Sequence, residues 1–177
     1  MAHPLIDQLR FTRSEFMRGI EGITDKDARK RLMPMNCISW NIGHLAWQEQ
    51  RHFLLFGQGK LPFPDIHETF AYGAPSSMPP LKEVMSAWKT ITAETDPWLD
   101  KLTASKLQES PIVSGKSLDR IYGNILQGTI YHYWYHTGEN LAIRQGLGHK
   151  DLPQFVGKLD HQAPYRPDEN QEKIKRE

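Results

Sequence analysis

One cysteine, Cys37, stands in a chain of 177 residues. That count excludes an intramolecular disulfide and any metal cage built from several thiolates. Charge of one sign is not in excess either, since 22 Lys and Arg face 21 Asp and Glu. A net formal charge of +1 lacks the clustered basic face that electrostatic nucleic-acid binding requires. Long apolar runs are missing as well. No stretch approaches the roughly 18 residues of a membrane span. The opening MAHPLIDQLRFTRSEF has no uninterrupted apolar segment of the secretory kind. A reduced, cytoplasmic setting with neither membrane nor nucleic acid as partner is the expectation.

Hydrophobic residues make up only 38% of the chain, but five Trp, seven Phe and six Tyr supply bulky core material. The eight His exceed what packing needs. Apolar periodicity predicts four long helices in one domain over residues 1–166, followed by a charged tail over 167–177. The first runs from Pro4 to about Ile20 with Leu5, Leu9, Phe16 and Ile20 on one face, and Thr24 caps a short turn after it. The second starts after Ser39 as N-cap and ends near Phe56, with Gly57 as its stop. Its inner stripe is Trp40, His44, Gln48, Arg51 and Leu55, and His52 points elsewhere. A Pro/Gly-rich stretch over 57–80 is too long for a tight turn and fits a crossover along the bundle.

The third helix starts near Pro80 and turns Leu81, Val84, Trp88 and Ile91 inward. Pro97 either kinks it or begins a separate short helix capped by Asp96. SKLQESPIVSGKS reads as an irregular or short extended linker. The fourth helix starts after Ser117 and ends at Gly146 or Gly148. DLPQFVGKLDHQAPYRP then forms a short extra element. The fold class is therefore all-α: a four-helix bundle with a long crossover connection and a short C-terminal extension.

Chemistry concentrates in GTIYHYWYHTGENLAIRQGLG. At 100° per residue, His132, His136 and Glu139 share the inward stripe with Ile121, Ile125 and Ile143. A shuffled chain of this composition yields roughly 0.35 histidine pairs at that spacing, so spacing alone carries little. Placement carries more. Buried imidazoles need partners, and His44 occupies the inner stripe of a second helix. Three imidazoles from two helices make a ligand set for Zn²⁺, Ni²⁺ or Fe²⁺, with open positions for water or substrate. Gly128, one turn before His132, leaves room beside the ion.

Glu139 is a fourth ligand, a general base or an acceptor for an imidazole N–H; the opposing reading pairs it, partly buried, with Arg51 or another cation. HYWYH carries no Glu between its histidines, which excludes the HExxH protease arrangement. Cys37 reads as an inert thiol. His3, His67, His149 and His161 read as ordinary surface residues. Tyr131, Tyr133, Trp134 and Tyr135 read as helix–helix or subunit packing.

With His44 in SWNIGHLAWQEQRHF and the pair in YHYWYHTGENLAIRQGLG, the chain resembles the DinB-like (DinB/YfiT) superfamily. The pattern is a polar cap, a second helix containing W-x-x-x-H-L, and a late helix with H-x-x-x-H-x-G-[QE]. Trp40 to Leu45, and His132, His136, Gly138 and Glu139, match it in order, and the likeness covers residues 4 to 166. The resemblance implies an up-up-down-down bundle, often a homodimer, with a three-histidine divalent-metal site. Carried over, His44, His132 and His136 are the metal ligands. Members include S-transferases and isomerases that use low-molecular-weight thiols, and metal-dependent hydrolases. Members commonly carry Gln where this chain has Glu139.

Two functional classes follow. One is a metal-dependent enzyme acting on a small molecule by thiol transfer or hydrolysis. The other is a non-catalytic, stress-related bundle that binds a metal or ligand and dimerises.

Overall fold

A computed structural model describes residues 3–166; the tail expected over 167–177 lies outside them. Helix α1 spans Pro4–Gly19, with Pro at its first position and His3 Nδ1 accepting from the Leu5 amide at 3.2 Å. Thr24 caps α2, Asp25–Ala28, by accepting from the Asp27 amide at 3.1 Å. Helix α3 spans Ile38–Glu49 and begins one residue before Ser39. Cys37 is its N-cap residue and makes no capping hydrogen bond, and the helix entry is buried. Ser39 sits inside the first turn with its Oγ 3.2 Å from the Cys37 sulfur.

Beyond Glu49 the helix widens into a π-helical turn, Gln50–Leu55, before α4, Phe56–Gln58. The stop is Gly59, at φ 68°, rather than Gly57. Gly57 stays helical and lets α6 come close: a Cβ there would lie 2.7 Å from the Trp98 ring. The crossover contains α5, Pro64–Thr69, and α6 then runs from Leu81 to Leu99. Pro97 sits inside the last turn of α6 and starts no new helix; the Asp100 amide still donates to the Asp96 carbonyl at 3.0 Å. Next come α7, Ala104–Leu107, and a hairpin of β1, Ile112–Val113, and β2, Lys116–Ser117. The expected linker is thus extended over the hairpin, the second of its two readings, and carries the short helix α7 ahead of it. Helix α8 spans Tyr122–Gly146, and α9, Leu159–Gln162, lies in the C-terminal extension.

Helices α1, α3, α6 and α8 form the bundle, with α3 on α6, α1 on α8, and α3 on α8. Phe16, Trp88, Ile91, Ile125 and Tyr133 meet in its core. A polar cluster lies inside that core. Glu49 is wholly buried and takes a two-pronged bond from Arg13, Nε to Oε1 and Nη2 to Oε2, both at 2.7 Å. The Tyr133 hydroxyl donates to Glu49 Oε1 at 2.9 Å and accepts from Trp88 Nε1 at 2.7 Å. Arg13 also reaches Asp96 at 2.8 Å and Thr95 at 2.9 Å. One contiguous network therefore joins all four long helices. Tyr133 belongs to it, whereas Tyr131 and Tyr135 are exposed. Among the described residues, no helix is long and apolar enough to cross a membrane.

Candidate metal centre

Helix α3 presents His44, and α8 presents His132 and His136, toward one point between them. Their ligand nitrogens all lie within 4.8 Å of one another. Each ring is anchored through Nδ1. His44 donates to the Phe70 carbonyl at 2.7 Å, His132 to Gln48 Oε1 at 2.8 Å, and His136 to Glu139 Oε2 at 2.8 Å. The Phe70 carbonyl, the Gln48 amide oxygen and the Glu139 carboxylate oxygen serve as acceptors, so each Nδ1 carries the proton. The three Nε2 lone pairs are then the free ones. Nε2 of His132 and Nε2 of His136 stand 3.0 Å apart. Two imidazole lone pairs at that separation repel unless a proton or a cation is shared between them, so the donor set suits a cation.

Burial pushes the His44 pKa down to about 4, against the pull of the Phe70 carbonyl. Burial, followed by the neighbouring imidazoles, pushes His132 down to about 3. Both are therefore neutral near pH 7, which is the form that ligates metals. His44 is also clamped between two indoles, with Trp40 at 4.9 Å and Trp47 at 5.0 Å between ring centroids, both stacked. The crossover seals the other side. Phe70 packs on Gly43, where a Cβ would come within 2.6 Å of the ring, and that contact sets its carbonyl over His44.

Of the roles open to Glu139, the structure shows it orienting an imidazole. Its Oε2 accepts from His136 and also from Asn41 Nδ2 at 2.8 Å. Arg51 does not pair with it; that guanidinium lies over the Trp47 and Phe56 rings. At Gly128 an added Cβ would meet Arg120 Nη2 at 3.4 Å and no imidazole within 4 Å, so the space beside this glycine is taken by the guanidinium.

His52 departs from its expected outward direction. The π turn rotates it inward, where it is buried and its Nδ1 lies 2.9 Å from Thr129 Oγ1. Three other histidines are more than surface residues. His3 caps α1, His67 approaches Trp47 at 6.3 Å, and His149 accepts from Arg144 Nε at 3.1 Å. His161 is exposed on α9. Spacing missed Asn41, Gly43 and the Phe70 carbonyl. Gln48 was on the predicted stripe, but its bond to His132 was not legible there.

An acid sensitivity follows. Burial, then the charges of Arg51, Arg120 and His132, depress the His52 pKa to about 3. A buried neutral histidine takes up its proton far more readily when unfolded, where its pKa is near 6.5. Its stabilising share is thus complete above about pH 6.5 and is lost as pH falls toward 3. Metal-free protein should lose stability at about 1.4 kcal/mol per pH unit for each such histidine. Urea unfolding midpoints between pH 7 and 4 measure this slope. His52→Gln should reduce it by one proton, and an unchanged slope would count against the assignment.

The chain matches the family model of the DinB superfamily over residues 8–139, about three quarters of its length, and belongs to that family. The match takes in His44, His132 and His136 and ends at Glu139. A comparison with curated proteins found no match.

Proposed function

We propose that this protein is a divalent-metal-dependent enzyme that joins a low-molecular-weight thiol to a small electrophilic molecule. The observation that carries this reading is the tautomer of the three imidazoles. Phe70, Gln48 and Glu139 take the three Nδ1 protons and leave three Nε2 lone pairs facing one point. His44, His132 and His136 would hold the ion, and an imidazole-only set suits Zn²⁺, Ni²⁺ or Fe²⁺. A bound divalent cation supplies Lewis acidity, which lowers the pKa of a coordinated thiol or water.

The greater acidity of a thiol favours it over water as the group activated here. With bonds from both Asn41 and His136 on Oε2, Glu139 orients His136 through that oxygen. A thiol, with a free pKa near 8.5, ionises without a dedicated base more readily than water does. Trp40 and Trp47 keep water from the flanks of His44, and both are at least nine-tenths buried.

Two measurements test the reading. Protein purified without an affinity tag should contain close to one equivalent of divalent metal per chain by elemental analysis. Turnover of a panel of alkyl and aryl electrophiles should then depend on added thiol. Metal retention with no turnover on either thiol or ester panels would instead favour a binding protein.

A further inference from the structure

Two guanidinium groups close to the histidine cluster have no acidic partner. Arg51 belongs to the π turn and lies over two rings, with its Cζ 5.4 Å from the Trp47 centroid and 5.0 Å from that of Phe56. Stacking engages the flat face of a guanidinium and leaves its five N–H donors around the edge. Arg120 approaches from the segment before α8 and lies against that helix at Gly128, where there is no side chain to displace it. Among the described residues, neither arginine forms an ion pair or a hydrogen bond to a carboxylate. Asp119, the adjacent acid in sequence, pairs with neither.

Both groups stand on the side of the cluster marked by His52 and Thr129. Along the helix carrying Arg51, the order is His44, Gln48, Arg51; along α8 it is His136, His132, Gly128. The two rows are cross-linked by Gln48 with His132 and by His52 with Thr129. One helical turn, about 5.4 Å, therefore separates the level of His132 from the level of the arginines. Burial lowers the Arg51 pKa, and the charge of Arg120 lowers it further, as expected for two cations that share a locality. Like charges gathered in this way, with donor edges unfilled, are matched by an oxyanion.

We propose that Arg51 and Arg120 form an oxyanion subsite beside the three-histidine cluster, and that the small molecule bound there carries a carboxylate or phosphate about one helical turn from its reacting group. The position of the reacting group rests on the proposed metal function; the subsite itself does not. Gly128 is part of the subsite because it gives Arg120 its resting place.

Isothermal titration with inorganic phosphate, succinate and neutral succinamide tests this on the full-length protein, with metal content measured on the same samples. Phosphate or succinate should bind and succinamide should not, and the tighter of the two anions identifies the group recognised. Arg51→Gln and Arg120→Gln should each weaken anion binding about tenfold while metal content stays at the wild-type value. Arginine-dependent anion binding by a protein that holds no metal would leave the subsite standing and remove the metal reading. The subsite is overturned if neither anion binds, or if the Arg51→Gln, Arg120→Gln double variant binds them as the wild type does.

Discussion

Glu49→Ala is expected to destabilise the bundle by about 3–5 kcal/mol, because it strands a charged guanidinium in the core. Burial opposes the Arg13 charge, yet the attraction and hydrogen bonds of Glu49 outweigh it and hold the guanidinium above its ordinary pKa. A guanidinium does not give up its proton within a protein, so Arg13 stays charged in the variant. Asp96 would remain as a partner, but it is partly solvent-exposed and meets only one nitrogen. For a domain of this size the loss corresponds to roughly 10 °C in the unfolding temperature. Replacing both partners with methionine removes the charge along with its counter-charge, so Arg13→Met with Glu49→Met should recover much of the loss. The two unfolding curves separate the cost of an unpaired charge from the cost of lost packing. A Glu49→Ala loss below about 1 kcal/mol would mean that water or Asp96 already satisfies Arg13.

His132→Ala should release the metal. Two imidazoles remain in that variant, and one of them loses the neighbour 3.0 Å away that shapes its donor set. A His44→Ala, His132→Ala double variant should hold none, and full occupancy in that protein would falsify the ligand assignment. Glu139→Gln differs in kind. The amide oxygen can still accept from His136, but without the negative charge that strengthens the ligand, so affinity should fall roughly 10–100-fold without vanishing. Complete loss in Glu139→Gln would make the carboxylate a ligand in its own right. Competition against a chelator of known affinity measures all three variants on one scale.

The bundle was legible because its signals are local. Pro4 and Thr24 sit where helix starts favour them, and Val84, Trp88 and Ile91 repeat at helical spacing. The departures come from contacts that no local pattern records. Gly57 looks like a stop and is instead the place where Trp98 touches the helix, while Gly59 takes the left-handed turn. The clustered histidines were legible for the same reason as the helices, since two lie four apart on one apolar stripe. Their anchors divide by distance. Gln48 lies one turn from His44 on α3, yet the ring it anchors is His132, 84 positions away. Phe70 belongs to the crossover, and Asn41 reaches Glu139 across 98 positions. The Arg13–Glu49 pair escaped notice entirely, because a lone Glu in a helix looks like a solvent-facing residue until its partner 36 positions away is seen.

The π-helical turn has a consequence for how such a protein can diversify. Residues before Gln50 keep the phase that aims His44, and residues within the turn follow a different one. An insertion or deletion of a single residue in that turn would re-aim Arg51 and His52 while leaving the imidazole upstream in place. If His44 holds the ion and Arg51 the anion, as proposed, the two tasks fall on separately adjustable lengths of the same helix, and mutation can explore one without disturbing the other.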